Sequence, residues 1–413
     1  MRASRLNRSG SVTIQVCACL VVLLSFTAIV VDGGVLLDDR QRVQSAADAA
    51  ALAAAEDLFL NAVTNLGLDP QGTAKAAALA SAAANGFPNP TVNIPPLSGP
   101  FTGLPGYAEV IVNYNQKRYF STIFGSSDIP VAARATAQGR WAAAKVGVLV
   151  LDPTDPGSVT TTGGASMTVV DVPMVVDSTS ATAVTTSGGG AMIAPEFDIA
   201  GIPGYSGSGT WTGTLYSGQP QMADPFAYIP DPDPSTMVVQ STNPTHFSGT
   251  DVGYIQPGVY KGGITVSGQA TLNMAPGIYY MDGGGFTFTG QGSLNATGVM
   301  IVNDPKSSSN TISINGTGSI NFSPPTSGIY KGISLWQVRS STNTIYVSGN
   351  GTSSMSGTFY AASGTLNVTG NGANDVIGSQ YVSYKLVVNG NGGFRVNWNV
   401  DQTGQTRYLC LVE

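Results

Sequence analysis

The longest uncharged segment constrains this chain most. Residues 11–31 contain no Asp, Glu, Lys or Arg. As a helix rising 1.5 Å per residue they would span about 31 Å, close to the thickness of a bilayer core. Arg2, Arg5 and Arg8 precede the segment and Asp32 follows it. Because positive charge is retained on the cytoplasmic side, we predict a single-pass membrane protein with a cytoplasmic N-terminus and a body outside the cytoplasm.

A cleaved secretory signal is the alternative for this segment. Such signals have a shorter apolar stretch and end in a small-x-small site. Val30-Val31-Asp32-Gly33 offers no such site, so an uncleaved anchor is favoured. Cys17 and Cys19 are interpreted as small apolar membrane residues, since the run continues well beyond Cys19 instead of ending at a lipid-modified cysteine. The roles of these two cysteines and of Cys410 stay open.

Charge is scarce in the rest of the chain. Only 10% of all residues are charged, and residues 146–413 contain 7 basic and 15 acidic side chains. Nucleic-acid binding needs a basic surface that neutralises phosphates, so this function class is excluded. Apolar residues make up 42% of the chain, many of them Val, Ile and Tyr in short runs. That composition predicts an ordered β protein rather than disorder.

The segment after the apolar run predicts further helix. Residues 45–56 are rich in Ala, the strongest helix former, and a second helix is expected at about 71–85. In order, Arg8-Ser9-Gly10, the apolar run, Val31-Asp32-Gly33-Gly34 and Arg42-Val43-Gln44-Ser45-Ala46-Ala47-Asp48-Ala49-Ala50-Ala51-Leu52-Ala53 closely resemble the N-terminus of TadE/TadG-like proteins of the tight-adherence (Flp-type) pilus assembly system.

The resemblance implies an α+β, pseudopilin-like module. Residues 1–34 would form a basic tip and transmembrane helix, and residues 35–140 a helix with a small sheet. Strands are expected at 107–112 and 129–137, on either side of an aromatic turn at 119–125. Pilus-assembly or secretion-system proteins are the partners that the resemblance implies. It also implies a bacterial inner (cytoplasmic) membrane location, with a periplasmic or extracellular body.

Two positions depart from the family. The fifth residue after Gly10 is Gln15, where processed pseudopilins have Glu, so whether Gly10 is a processing site stays open. Many TadG-like proteins also have a metal-binding DxSxS motif. The segments beginning at Asp152 and Asp177 do not fit it, and we predict that both aspartates are turn residues.

A glycine repeat fills the region 146–413. Its lead glycines lie at 163, 188, 268, 290, 316, 349, 370 and 390. Spacings of mostly 20–26 residues suit one coil of a solenoid better than a propeller blade. We therefore predict an all-β parallel β-helix, with a β-sandwich as the alternative. The Pro-rich segment at about 199–253 is predicted to be an insertion, a surface excursion or linker.

A second repeated phrase contains tyrosine. Gln256–Gly263, Ala275–Gly285 and Ser327–Gly332 are its copies. We predict that their tyrosines stack on successive coils, and a carbohydrate-stacking face is the alternative.

No residue set predicts catalysis. His246 is the only histidine, so neither a His-based triad nor a zinc cluster is expected. The charged residues of the repeat region are scattered in sequence: Asp282, Asp304, Lys306, Lys331, Arg339 and Lys385. Asp231 and Asp233 are assigned to a solvated linker, with calcium binding as the alternative. We predict no catalytic, cofactor-binding or metal-binding residues, no cofactor, and a protein that is not an enzyme.

Three functions compete at this stage. The first is a structural or accessory envelope protein of a tight-adherence pilus system. The second is a surface adhesin whose β-helix binds glycans or neighbouring cells. The third and weakest is a β-helix enzyme acting on polysaccharides.

Overall fold

The computed structural model describes residues 9–349, 353–372 and 375–413, and the chain divides into two compact units. The first comprises residues 1–141 and 407–413, and the second residues 142–406. Arg2, Arg5 and Arg8 lie outside the described residues. The helices and strands of the first unit are α1 (Ser9–Leu60), α2 (Ala62–Asn65), α3 (Thr73–Ala84), β1 (Thr91–Asn93), β2 (Tyr107–Gln116), the 3₁₀ helix η1 (Ser121–Phe124), β3 (Ile129–Ala143) and the C-terminal strand Gln405–Leu411.

The first unit packs helices on a small sheet. The strand order is β1, β2, β3 and the C-terminal strand, with β1–β2 and β2–β3 antiparallel. The buried stripe of α1 includes Val43, Ala47, Ala50 and Ala54. Small side chains let the helix approach the sheet closely. A Cβ on Gly139 of β3 would lie 1.7 Å from the carbonyl oxygen of Ala55, so this contact requires glycine. The structure confirms the predicted helix with a small sheet.

The second unit is a parallel β-helix. In chain order its strands are β4 (Val148–Val150), β5 (Val159–Thr161), β6 (Ser166–Val170), β7 (Met174–Val176), β8 (Val184–Thr186), β9 (Ala191–Ile199), β10 (Tyr205–Gly207), β11 (Thr210–Ser217), β12 (Val239–Ser241), β13 (Thr245–Phe247), β14 (Val252–Ile255), β15 (Gly258–Lys261), β16 (Ile264–Val266), β17 (Thr271–Met274), β18 (Gly277–Asp282), β19 (Phe286–Phe288), β20 (Ser293–Ala296), β21 (Val299–Asp304), β22 (Ile312–Ile314), β23 (Ile320–Phe322), β24 (Ile333–Gln337), β25 (Ile345–Ser348), β26 (Ser354–Met355), β27 (Thr358–Gly370), β28 (Asp375–Ile377), β29 (Gln380–Gly390) and β30 (Gly393–Asn397). A 3₁₀ helix at Pro234–Thr236 precedes β12.

Each strand pairs in parallel with its counterpart on the next coil. Examples are β15 with β18, β16 with β19 and β17 with β20. Inward side chains such as Phe286, Leu294 and Ile301 are fully buried and form one continuous core. The repeated glycines lie at turns where coils touch: Gly290 has φ 98°, and a Cβ there would lie 2.2 Å from the carbonyl oxygen of Gly268. The structure therefore has the predicted β-helix and not the alternative β-sandwich.

The coils do not stack in chain order. β29 pairs with β4 and β5, and β30 pairs with β6. The first and last coils of the chain are therefore neighbours in the middle of the stack. The coil β10–β11 forms one end, and the coil β12–β14 forms the other. Residues 218–238, which we call the strap, connect these ends.

The strap packs on the outside of one sheet face. Trp336, Tyr360 and Val382 are outward residues of that face and are completely buried. Phe226 and Ile229 of the strap are also completely buried. This differs from the predicted insertion at about 199–253: residues 205–217 and 239–255 contain strands of the two end coils. Most strap residues are exposed, but Phe226 and Ile229 are packed because this sheet face is apolar on both sides.

Candidate functional site

The carboxylate of Asp32 connects the end of the apolar run to the segment that begins η1. Asp32 is 6% exposed, and its oxygens accept backbone hydrogen bonds from Phe120 (3.1 and 3.2 Å) and Ser121 (2.7 Å). Charge-assisted bonds of this kind compensate the carboxylate for lost water. Asp32 thus fixes the start of η1 beside the helix. In the sequence Asp32 marks only the flank of the run, and no local pattern reveals this contact.

A second buried carboxylate holds the sheet of the first unit together. Glu109 has a fully buried side chain that accepts hydrogen bonds from Asn93 (2.7 Å), Arg134 (2.6 Å), Leu97 N–H (3.1 Å) and Ser98. Burial alone would raise the pKa of Glu109, but these donors outweigh it and lower the pKa to about 2. With its partners in place, Glu109 stabilises structure and is not free to exchange protons.

Several charged residues that are scattered in the sequence lie close together in the β-helix. Lys306 Nζ is 2.6 Å from Asp304 and 3.2 Å from Asp282, and the Tyr280 hydroxyl donates to Asp304 at 2.9 Å. The hydrogen bond to Asp304 raises the pKa of Lys306. No sequence pattern places these residues on one face. They meet because β18 and β21 are neighbours in register, with Asp282 opposite Asp304.

Two further cations each contact a pair of carboxylates. Lys385 lies 2.8 Å from Asp155 and 3.4 Å from Asp152, and Arg339 lies 3.5 Å from Asp231 and 4.0 Å from Asp224. Each of these carboxylates is compensated by a cation, so none of the three clusters presents a free acid and base. Lys331 makes no ion pair within the described part of the chain.

Strap aspartates anchor the segment to the sheet. Asp224 accepts a hydrogen bond from the Tyr360 hydroxyl (2.7 Å), and Asp231 accepts one from Trp336 Nε1 (2.8 Å). The Arg339 guanidinium lies 3.5 Å from Asp231 and 4.9 Å from the Trp336 ring centroid. Asp231 therefore has protein donors, while its side chain stays 38% exposed.

The other aspartates considered for metal binding also have protein partners. Asp233 accepts the Ser235 N–H (2.9 Å), which caps the 3₁₀ helix, and Asp152 accepts the N–H groups of Thr154 and Asp155 in a turn. Asp177 is buried and accepts the Met222 N–H at 2.8 Å. Burial raises its pKa to about 6, partly opposed by that hydrogen bond. In the ranges that the structure describes, no three His, Cys, Asp or Glu residues form a metal-binding group.

The repeated tyrosines lie mostly inside the β-helix. Tyr260 and Tyr279 are buried and stacked, with ring centroids 5.9 Å apart. Their hydroxyls donate to the carbonyls of Gln256 and Ile255. Tyr330 does not continue this stack; it packs edge-to-face on Trp336. The stacked pair is part of the core, and its ring faces are not available to a sugar.

The other side chains named in the sequence analysis lie in different helices and strands. His246 lies exposed in β13 of an end coil. Cys17 and Cys19 are exposed on α1 and Cys410 is half-buried, all as free thiols. Gln15 is exposed on α1, and Gly10 belongs to the same helix.

The apolar run itself is the clearest functional feature. Helix α1 is long and apolar enough to cross a membrane, and most side chains of the run are exposed, as for Leu23 (66%) and Val30 (71%). A helix that is apolar on every face is stable where lipid covers it. Residues 10–57 match a TadE/G-like family.

The match is to the family described as putative Flp pilus-assembly TadE/G-like, and it covers the greater part of α1. The TadE/G-like segment associates the protein with Flp pilus assembly and fits a single-pass membrane protein. No curated protein and no solved structure gives a match to the chain.

Proposed function

We propose that this protein is a non-enzymatic, membrane-anchored envelope protein with a structural or accessory role in a tight-adherence (Flp-type) pilus assembly system. The match of residues 10–57 carries the proposal. That segment coincides with the one helix of the described residues suited to crossing a bilayer. Anchoring and pilus association thus rest on the same stretch of chain.

A non-enzymatic role is supported by how the charged groups are used. Lys306, Lys385 and Arg339 each face two carboxylates, and Asp32 and Glu109 are held by backbone or side-chain donors. General acid–base catalysis requires a group poised to give or take a proton near the working pH. Hydrogen bonds to Asp304 and Asp155 raise the pKa values of Lys306 and Lys385, and the pKa of Glu109 is lowered to about 2, so these three groups stay ionised near neutral pH.

The proposed location is the inner membrane, with the N-terminus in the cytoplasm and both folded units outside it. The basic residues before the apolar run and the acidic residues after it support this orientation. The β-helix would then extend into the periplasm or beyond, where its nearly uncharged surface meets other envelope components.

The test is position-specific crosslinking of the full-length protein in its native host. A photoreactive residue replaces Leu37, which is 64% exposed within the matched segment, or Leu60, which is 69% exposed just beyond it. We expect capture of pilus-assembly proteins from position 37 and much less from position 60. Equal capture from both positions, or no pilus-assembly protein from position 37, would contradict the proposal.

A glycan-binding adhesin is the second candidate, and one groove favours it. The groove has a volume of about 450 Å³, lies between the turns at 276–278 and 325–330, and is lined by uncharged residues that include Tyr330. Sugars bind by stacking on aromatic rings beside polar groups. Tyr330→Ala should abolish glycan-array binding by the purified protein if this function holds, and absence of any wild-type binding would dismiss it.

A further inference from the structure

An exposed loop of the first unit lies beside the end of the apolar run. It comprises Lys117, Arg118, Tyr119 and Phe120 and leads directly into η1. Tyr119 is 62% exposed and Phe120 58%. Covering two neighbouring aromatic rings with another surface is favourable, because it removes their apolar area from water.

The position of this loop along the helix is fixed by Asp32. The Asp32 carboxylate accepts the N–H groups of Phe120 and Ser121, and Asp32 directly follows the uncharged run 11–31. When that run fills the hydrocarbon core, Asp32 lies at the boundary between hydrocarbon and headgroups. The backbone of Phe120 must then lie at the same level.

The helix surface shows that η1 lies close to the apolar run itself. Ala28 is one turn before Asp32 on the same side of α1, about 6 Å along the axis. It is buried, although Ile29, Val30 and Val31 are all exposed. Helix α1 contacts η1 in this region. The side of α1 that carries Ala28 and Asp32 is therefore buried, and lipid is left to cover the exposed side chains of the run.

The chemistry of the loop matches that layer. Aromatic residues are enriched at the membrane–water interface, where their rings tolerate partial hydration. Lysine and arginine next to a bilayer are attracted by anionic lipid headgroups. Arg118 donates through Nε to the Ser127 carbonyl at 2.8 Å, which orients its guanidinium.

We propose that residues 117–120 form a second membrane contact, in which Tyr119 and Phe120 enter the interfacial layer of the outer leaflet and Lys117 and Arg118 face anionic headgroups. The contact requires that residues 11–31 span the bilayer, and its assignment to the outer leaflet rests on the proposed cytoplasmic N-terminus. It would hold the small sheet of the first unit close to the membrane, so that the sheet is not attached through a single helix alone.

Depth-dependent fluorescence quenching tests the contact in the full chain. The protein, with Cys17, Cys19 and Cys410 replaced by serine, is reconstituted into vesicles of phosphatidylethanolamine and phosphatidylglycerol. Phe120→Cys carries an environment-sensitive label, and vesicles contain lipids spin-labelled at the headgroup. We expect a blue-shifted, strongly quenched label.

Leu97→Cys is the matched control. Leu97 is 72% exposed in the same unit. Its neighbour Ser98 accepts a hydrogen bond from Arg134, and the Arg134 carbonyl accepts one from Gln44. Gln44 is twelve residues beyond Asp32 on α1. That separation is about 18 Å along the helix, so its label should stay unquenched. Lys117→Gln should shift the bound–free equilibrium of the Phe120 loop by roughly fivefold toward the free form.

The quenching result decides the proposal. Quenching of the position-120 label no greater than that at position 97 would overturn it, whatever the helix does. Strong quenching that is the same in zwitterionic vesicles and after Lys117→Gln would overturn the role given to the cations. Burial of the label in native membranes but not in vesicles would show a protein partner in place of lipid.

Discussion

The strap offers the sharpest test of the β-helix architecture. Phe226 has no exposed surface and packs edge-to-face on Tyr360, with ring centroids 5.7 Å apart. Removing a fully buried phenyl ring typically costs 3–5 kcal/mol, about 4 kcal/mol here. For a domain of this size each kcal/mol lowers the melting temperature by about 2–4 °C, so Phe226→Ala should lower it by roughly 10 °C.

Thermal unfolding of the detergent-solubilised full chain, followed by tryptophan fluorescence, measures this effect. Trp336 stacks on Tyr360 and reports on the same site. The control is Val238→Ala, since Val238 belongs to the same strap but is 69% exposed; such a surface change should cost less than about 0.5 kcal/mol. If Phe226→Ala destabilises no more than Val238→Ala, the strap is not packed on the sheet and our reasoning fails.

Three further outcomes follow from the structure. Thr160→Cys combined with Val387→Cys should form a disulfide under mild oxidation, because these positions are in parallel register; reduced thiols on a gel shift would contradict the coil order. Glu109→Gln should lower the free energy of unfolding by about 3 kcal/mol at pH 7, each pKa unit being worth about 1.4 kcal/mol. The lowered pKa stabilises above pH 4.5, so this difference should shrink as pH falls toward 2. Asp177→Asn should raise the free energy of unfolding by about 1–3 kcal/mol at pH 7. The reason is that the raised pKa of Asp177 makes the wild type less stable as pH increases from 4 to 6. No gain in stability at pH 7, or a gain that persists below pH 4, would refute this prediction.

Local patterns predicted the elements well. The uncharged run, the alanine stripe and the glycine spacing each reflect a requirement that acts over a few residues: hydrocarbon thickness, close helix packing, or a turn with positive φ. Gly268 and Gly290 do lie on adjacent coils, as their spacing indicates. The same holds for the helix found at Thr73–Ala84.

Long-range order was not predictable in the same way. Every coil has a similar pattern of residues. The repeat pattern alone therefore does not reveal that β29 and β30 contact β4, β5 and β6. The prolines of the strap indicated a break in the sheet, but only the apolar outer face explains why Phe226 is buried. The meeting of Asp282, Asp304 and Lys306 likewise depends on register, and the Asp32 contact joins residues 88 positions apart.

The most direct test of the anchored orientation is thiol labelling in intact cells. In a chain without native cysteines, Tyr254→Cys provides a reporter on an end coil, where Tyr254 is 78% exposed. A membrane-impermeant maleimide should label it once the outer membrane is permeabilised, while the protein stays in the carbonate-washed membrane fraction. Labelling that appears only after the inner membrane is lysed, or recovery of the full-length protein in the soluble fraction, would contradict a body held outside the cytoplasm by a single helix.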